Sequence, residues 1–170
     1  MNMIRTIELT DARGLSQYLT ANKTHFEPWE PIRESTFYSE KCCSEHIYNI
    51  LNTTSSTLFV FVSDRKILGH CELSQIVYGP FQACYMGYGV SKEFEGKGVG
   101  YELCSYAIEY AFSRLKLHRI MANYMPSNHR SGRLLKRLGF RKEGLALEYL
   151  KIAGAWEDHI LTSLINPNCV

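Results

Sequence analysis

Hydrophobic residues change their spacing repeatedly along the chain, and each change of period marks an expected element. Alternation over residues 3–9 predicts a strand, and Thr10 with Asp11 opens a helix reaching towards Asn22. The segment HFEPWEPIRE, residues 25–34, holds two prolines and is expected to lack regular structure. A second helix is predicted over Glu40–Leu51, closed by the polar cluster NTTSS. Thr57–Ser63 and residues 66–78 and 82–90 are β-rich and separated by the turn signals Asp64-Arg65 and Gly79-Pro80, which predicts an antiparallel meander. Over residues 96–115 the period becomes helical, with Val99, Leu103, Tyr106 and Tyr110 on one stripe. Residues 118–125 read as a strand, 128–138 as a helix stopped by Gly139, and Arg141–Ile152 with 156–165 as a closing strand pair. The expected order is β-α-α-β-β-β-α-β-α-β-β. No repeat or linker interrupts it, so residues 1–170 are expected to form one α/β domain around a mixed sheet.

Composition agrees with that picture. A chain of 170 residues, 45% hydrophobic and 21% charged, is long enough to bury a full core, which excludes disorder. A net charge of +2 argues against a generic nucleic-acid coat, and no DNA partner is expected. The first residues, MNMIRTIELTDARG, put charges where a secretion signal needs an apolar run, so a cytoplasmic location is expected. The apolar runs are all well short of the roughly 18 residues of a membrane span. Six cysteines show neither CxxC spacing nor nearby histidines at ligand spacing, so no metal is expected and the thiols read as buried or incidental.

The small total charge conceals a division. Residues 114–142 hold nine basic side chains (Arg114, Lys116, Arg119, Arg130, Arg133, Lys136, Arg137, Arg141, Lys142) and no acidic one. Residues 24–50 hold five glutamates against Arg33 and Lys41. A basic run is commonly a solvated face, yet this division also suits an anionic cofactor and a cationic substrate.

Two segments carry candidate chemistry. In Glu95-Gly96-Lys97-Gly98-Val99-Gly100 a strand ends in a turn with three alternate glycines and opens a helix. Backbone N–H groups there can converge on one point and the helix start adds partial positive charge, which suits a phosphate; the alternative is a tight turn that binds nothing. The spacing is neither GxGxxG nor GxxxxGK[ST], so no Rossmann or P-loop site is implied. In Pro126-Ser127-Asn128-His129-Arg130-Ser131, Ser127, Asn128 and Ser131 are all plausible helix caps. The loop Pro28-Trp29-Glu30-Pro31 adds a tryptophan among acids on a proline-stiffened connector, an unusual composition for a mere linker.

Together, the glycine turn, Asn128 and Ser131 about thirty residues on, and Leu138-Gly139-Phe140 resemble the GNAT acetyltransferases, whose pyrophosphate motif reads Gln/Arg-x-x-Gly-x-Gly/Ala. HRIMANYMP at 118–126, Pro28-Trp29-Glu30-Pro31 and the stretch from Glu143-Gly144 to Glu148-Tyr149-Leu150 look like the RimJ type, the ribosomal-protein-alanine N-acetyltransferases. The resemblance implies a mostly antiparallel twisted sheet of about seven strands flanked by about four helices. It implies acetyl-CoA as donor, a ribosomal-protein N-terminus as acceptor with a transient ribosome contact, and no membrane. It assigns Val90, Glu95, Gly96, Lys97, Gly98, Val99, Gly100 and Asn128 to the cofactor.

Departures from the family pattern are equally informative. The Gln/Arg slot holds Glu95, so only its backbone N–H can help a phosphate, and its side chain is expected to turn away or pair with a basic neighbour. The Glu and Tyr that serve the RimI type are replaced by Asn123 and Leu135. The RimL type fits better, aligning its Ser with Ser131 and its Glu with Glu148. On that likeness Glu148 is expected to act as base through water and Ser131 as acid in a direct transfer without an acyl-enzyme. N–H groups near Tyr88 to Val90 would stabilise the oxyanion. Trp29, Glu30, Asn123 and Tyr149, with Tyr124 and Trp156, are candidates for the acceptor groove. Two other functions compete: acetylation of a small amine such as a polyamine or aminoglycoside, and an RNA-binding module resting on the basic run. The latter has no use for the glycine turn and lacks the RNP pattern.

Overall fold

The computed structural model describes residues 2–168; Cys169 lies outside them. Seven strands, β1 (Asn2–Thr6), β2 (Thr57–Ser63), β3 (Lys66–Val77), β4 (Ala83–Val90), β5 (Arg119–Met121), β6 (Arg141–Ile152) and β7 (Ala155–Ile165), form one sheet. Their order is β1-β2-β3-β4-β5-β7-β6, and every pairing is antiparallel except β4 with β5. Five helices flank it: α1 (Ala12–Ala21), α2 (Lys23–Phe26), α3 (Glu40–Leu51), α4 (Val99–Glu109) and α5 (His129–Arg137).

The apolar run TLFVFVS explains the layering. Strand side chains alternate between faces, so a strand covered on both sides reads as continuously hydrophobic. Leu58 and Val60 pack with Leu15 and Tyr18 of α1 and Ile47 of α3. Phe59 and Phe61 point the other way, into a cluster with Leu103 and Ala107 of α4 and Leu135 of α5. Each large side chain so buried contributes about 1.5–3 kcal/mol.

Two expectations are corrected. Residues 23–29 are helical: α2 is followed by a 3-10 turn over Glu27–Trp29, and Pro28 falls in its first turn, where a missing N–H breaks no helical bond. The strand expected over 118–125 is regular only through Arg119–Met121, after which Tyr124 makes a single bridge to Ile160.

That second deviation creates the site. β4 pairs with β5 only where Ala83, Cys84 and Tyr85 face Arg119, Ile120 and Met121. Beyond this point the chain after β5 stays with β7, through Ala122 N–H to the Thr162 carbonyl and Tyr124 N–H to Ile160, while β4 runs on to Val90 beside β3 alone. The sheet splays into a wedge, and one backbone edge of residues 86–90 lines it instead of a neighbouring strand.

Candidate active site

The wedge continues into one cleft of about 950 Å³. At its head β4 passes through a 3-10 turn, Lys92–Phe94, into the glycine turn. Gly96 at φ +71° and Gly98 at φ +89° occupy the left-handed region, which only glycine adopts without strain. Gly98 is also the N-cap of α4 and offers no side chain, so the first-turn N–H groups of Val99, Gly100 and Tyr101 keep their hydrogen-bonding capacity. Nothing lies within 4 Å of where a Cβ on Gly96 would sit, so the turn opens onto free space. Buried Asn22, the C-cap of α1, pins this geometry: its Oδ1 accepts the Lys92 N–H at 3.0 Å and its Nδ2 donates to Ser91 Oγ at 3.1 Å. Nothing in the local sequence around Asn22 signals that long-range role.

The charges arrange themselves around the turn. Glu95 lines the cleft, but its carboxylate pairs with the Arg130 guanidinium and lies 3.1 Å from His25 Nε2. Burial and the nearby Arg130 cation hold His25 below its ordinary range. The glutamate in the Gln/Arg slot is thus neutralised by α5, while Arg133 and Arg137 remain beside the turn, Arg137 stacked 4.1 Å over the Tyr101 ring. Lys97 and Val99 do not line the cleft: Lys97 extends over the Phe94 ring and Val99 is buried in the core. Their contribution is backbone only.

On the opposite wall Asn128 caps α5, its Oδ1 accepting the Ser131 N–H at 3.1 Å. Of the three possible caps, Asn128 is therefore the one used, and it also faces the cleft. Ser131 is free of capping duty; its Oγ lies 2.6 Å from the Tyr88 hydroxyl of β4. Burial raises the Tyr88 phenol well above its ordinary range, outweighing the lowering effect of Ser131, so the phenol stays protonated. Tyr88 is a partner that residue type alone did not single out, since an aromatic on a buried strand reads as core.

The far end is acidic. Trp29, Glu30 and Arg33 line it, so the carboxylates of Glu30 and Glu72 outnumber one cation, and the Glu30 carbonyl accepts the Ala153 N–H at 2.9 Å, tying the loop to the β6–β7 turn. Glu72 of β3 lines the same end. Burial raises both carboxyls above the usual glutamate range, partly offset at Glu30 by Arg33 and at Glu72 by His46 and Arg33. Glu72 and His70 sit opposite Gly87 and Gly89 of β4. A Cβ on Gly89 would come 2.6 Å from the His70 ring, so glycine is required there for the histidine to fit. Burial pushes His70 down to about 4, leaving a neutral ring 2.9 Å from the Tyr18 hydroxyl. Glu72 alternates with His70 and Ser74 on one face of β3 while Cys71 and Leu73 on the other are core, so by spacing alone it reads as a solvent-facing strand residue.

Glu148, expected as the base, is not brought to the cleft. It sits with φ +45° inside the bulge where residues 147–149 face only Asp158, its N–H held by Asp158 Oδ1 at 2.8 Å and its side chain exposed. Tyr149 turns inwards, and its hydroxyl accepts from Asn123 Nδ2 at 3.3 Å. Asn123 and Tyr124 line the cleft directly, whereas Trp156 is 61% exposed outside it. Leu135 is core. Among the described residues no group of His, Cys, Asp and Glu is spaced to hold a metal ion, and no helix is long and apolar enough to cross a membrane.

An anion cradle at one end and carboxylates at the other match a phosphorylated donor and a cationic acceptor, and comparison with known proteins agrees. The family described as Acetyltransferase (GNAT) domain matches residues 3–141. The [ribosomal protein uS5]-alanine N-acetyltransferase of Escherichia coli (strain K12) is 39% identical over 98% of this chain and 88% of its own. The crystal structure of ribosomal-protein-S5-alanine acetyltransferase from Vibrio fischeri superposes with a TM-score of 0.96 at 37% identity, covering 99% of this chain and 95% of that one. Mycobacterium smegmatis RimJ in complex with CoA-disulfide gives 0.90 at 26% identity, over 96% and 81% of the two chains. The open glycine turn, with Arg133 and Arg137 beside it, fits the pyrophosphate of CoA. With the family matched over most of its length and the fold shared end to end, the chain belongs to the GNAT acetyltransferases, enzymes whose acyl donor is acetyl-CoA.

Proposed function

We propose that this enzyme acetylates the N-terminal α-amino group of a ribosomal protein, an alanine amine like that named for its uS5-modifying relatives. The observation that carries the reading is the layout of one cleft, cationic beside the glycine turn and anionic beneath Trp29, in a fold shared with those enzymes.

Bound acetyl-CoA supplies the acetyl group as an activated thioester. The backbone N–H groups of the turn at residues 95–100 would hold its phosphates, and Asn128, which lines the cleft, would meet its arm. Glu72 and Glu30 receive the acceptor's ammonium, and an α-amine with a pKa of about 7.7–8 needs only a modest base, so a cleft carboxylate suffices to take its proton. Glu148 has no part in this step. N–H groups along the open edge from Tyr88 to Val90 donate to an oxygen that gains negative charge. Ser131 Oγ gives its proton to the departing sulfur and recovers one through its hydrogen bond to Tyr88, and the second proton that the acceptor nitrogen sheds on becoming an amide restores the pair. Among the described residues no cysteine lines the cleft, and burial pushes Cys43 up to about 11 and Cys84 to about 12, so neither of these supplies a thiolate nucleophile.

Steady-state kinetics with a peptide bearing the acceptor's N-terminal alanine, set against spermidine, tests the reading. The peptide is expected to have the higher kcat/KM by tenfold or more, and the reverse order would move the enzyme to small amines. Glu72→Gln is expected to raise the peptide KM about 10–100-fold, the worth of one charge-assisted hydrogen bond, with CoA affinity unchanged. In the wild type that KM rises as the pH falls through the raised Glu72 range, because a protonated carboxyl no longer attracts ammonium. In the variant this dependence is reduced to the part that Glu30 supplies.

A further inference from the structure

The end of the sheet opposite the cleft carries cations that the cofactor turn does not use. α4 and α5 both start at the cleft, so the chain leaves them at the other end, where β5 and β6 begin and β7 finishes. The basic run is therefore divided. Arg130, Arg133 and Arg137 line the cleft, while Arg114 and Lys116 precede β5 and Arg141 and Lys142 begin β6. These four side chains are exposed, and among the described residues none has a carboxylate partner. Arg119 and Arg141 flank β7 against Ile165 and Ser163, which places the two strand starts about 10 Å apart. The nearby Glu143 is already occupied by Arg119 and Ser163.

Aromatic rings sit at the same end. The β3–β4 turn presents Tyr78 and Phe81, 52% and 49% exposed. It is fixed to the start of β5, because the Gln82 carbonyl accepts the N–H groups of His118 at 2.8 Å and Arg119 at 3.1 Å. Cations complementing a helix C-terminus account for Arg114 alone, and core packing does not account for rings in water. Unpaired cations beside exposed rings meet the two demands of RNA, phosphates to neutralise and bases to stack.

We propose that Arg114, Lys116, Arg141 and Lys142, with Tyr78 and Phe81, form an RNA-docking face on the end of the sheet opposite the acetyl-transfer cleft. It stands on charge and placement and is independent of which amine is acetylated. The probe is a labelled RNA stem-loop with single-stranded flanks, titrated by fluorescence anisotropy in saturating CoA, so that the cleft arginines are engaged. Arg141→Glu with Lys142→Glu is expected to weaken binding at least tenfold and to flatten the slope of log affinity against log salt by about 0.7–0.9 per phosphate contact removed. Phe81→Ala is expected to cost roughly fivefold or more through lost stacking. Unchanged acetylation of the short peptide by these variants shows that they are folded. The proposal is overturned if the stem-loop fails to bind at low salt, if saturating CoA abolishes binding, if the variants bind like the wild type, or if phosphatidylserine vesicles bind as tightly as the RNA.

Discussion

Gly98→Glu is expected to abolish acetyl-CoA binding, lowering affinity by more than a hundredfold in calorimetry. Two effects act together. Gly98 holds φ +89°, where any other residue pays about 1–2 kcal/mol in backbone strain. The larger effect is electrostatic: a carboxylate at the N-cap of α4 occupies the positive helix end that a phosphate needs, and Glu102 already lies 3.7 Å from the Cβ position. Gly98→Ala separates the two, since it carries the strain without the charge and should keep measurable affinity. A Gly98→Glu protein that melts normally and binds acetyl-CoA like the wild type would remove the glycine turn from the cofactor site.

The second large effect is expected at Ser131. Ser131→Ala should lower kcat about 10²–10⁴-fold, the range of a lost proton donor, while CoA affinity stays within about twofold. The 2.6 Å contact with Tyr88 gives this prediction a second arm. Tyr88→Phe leaves the serine hydroxyl in place but removes its proton supply, so kcat should fall less than in Ser131→Ala, and the double variant should be no worse than the serine variant alone. Matching losses of kcat and CoA affinity in Ser131→Ala would make the hydroxyl a binding group.

The order of elements and the position of the cofactor turn were legible because both depend on short-range patterns. TLFVFVS announces a strand buried on both faces, and glycines at 96 and 98 announce a backbone that must turn left-handed. Charge division was legible too, although only Glu30 of the five glutamates at residues 24–50 reaches the cleft. What stayed hidden depends on contacts between distant segments. Asn22 and Ser91 are neighbours only after folding, and so are Tyr88 and Ser131. Glu72 looked like the solvent face of an alternating strand because Gly87 and Gly89, which make room beside it and His70, lie on the next strand. Glu148 was misplaced for the complementary reason: a bulge on β6 changes which side chains reach inwards, and periodicity carries no notice of an extra residue.

Mass spectrometry of ribosomal proteins from cells with and without this enzyme tests its central assignment most directly. The account predicts that one ribosomal protein loses the acetyl group on its N-terminal alanine when the enzyme is absent and regains it when the wild-type enzyme, but not Gly98→Glu, is restored. Identical N-terminal acetylation in both cell types, with the change found on a small amine instead, would contradict it.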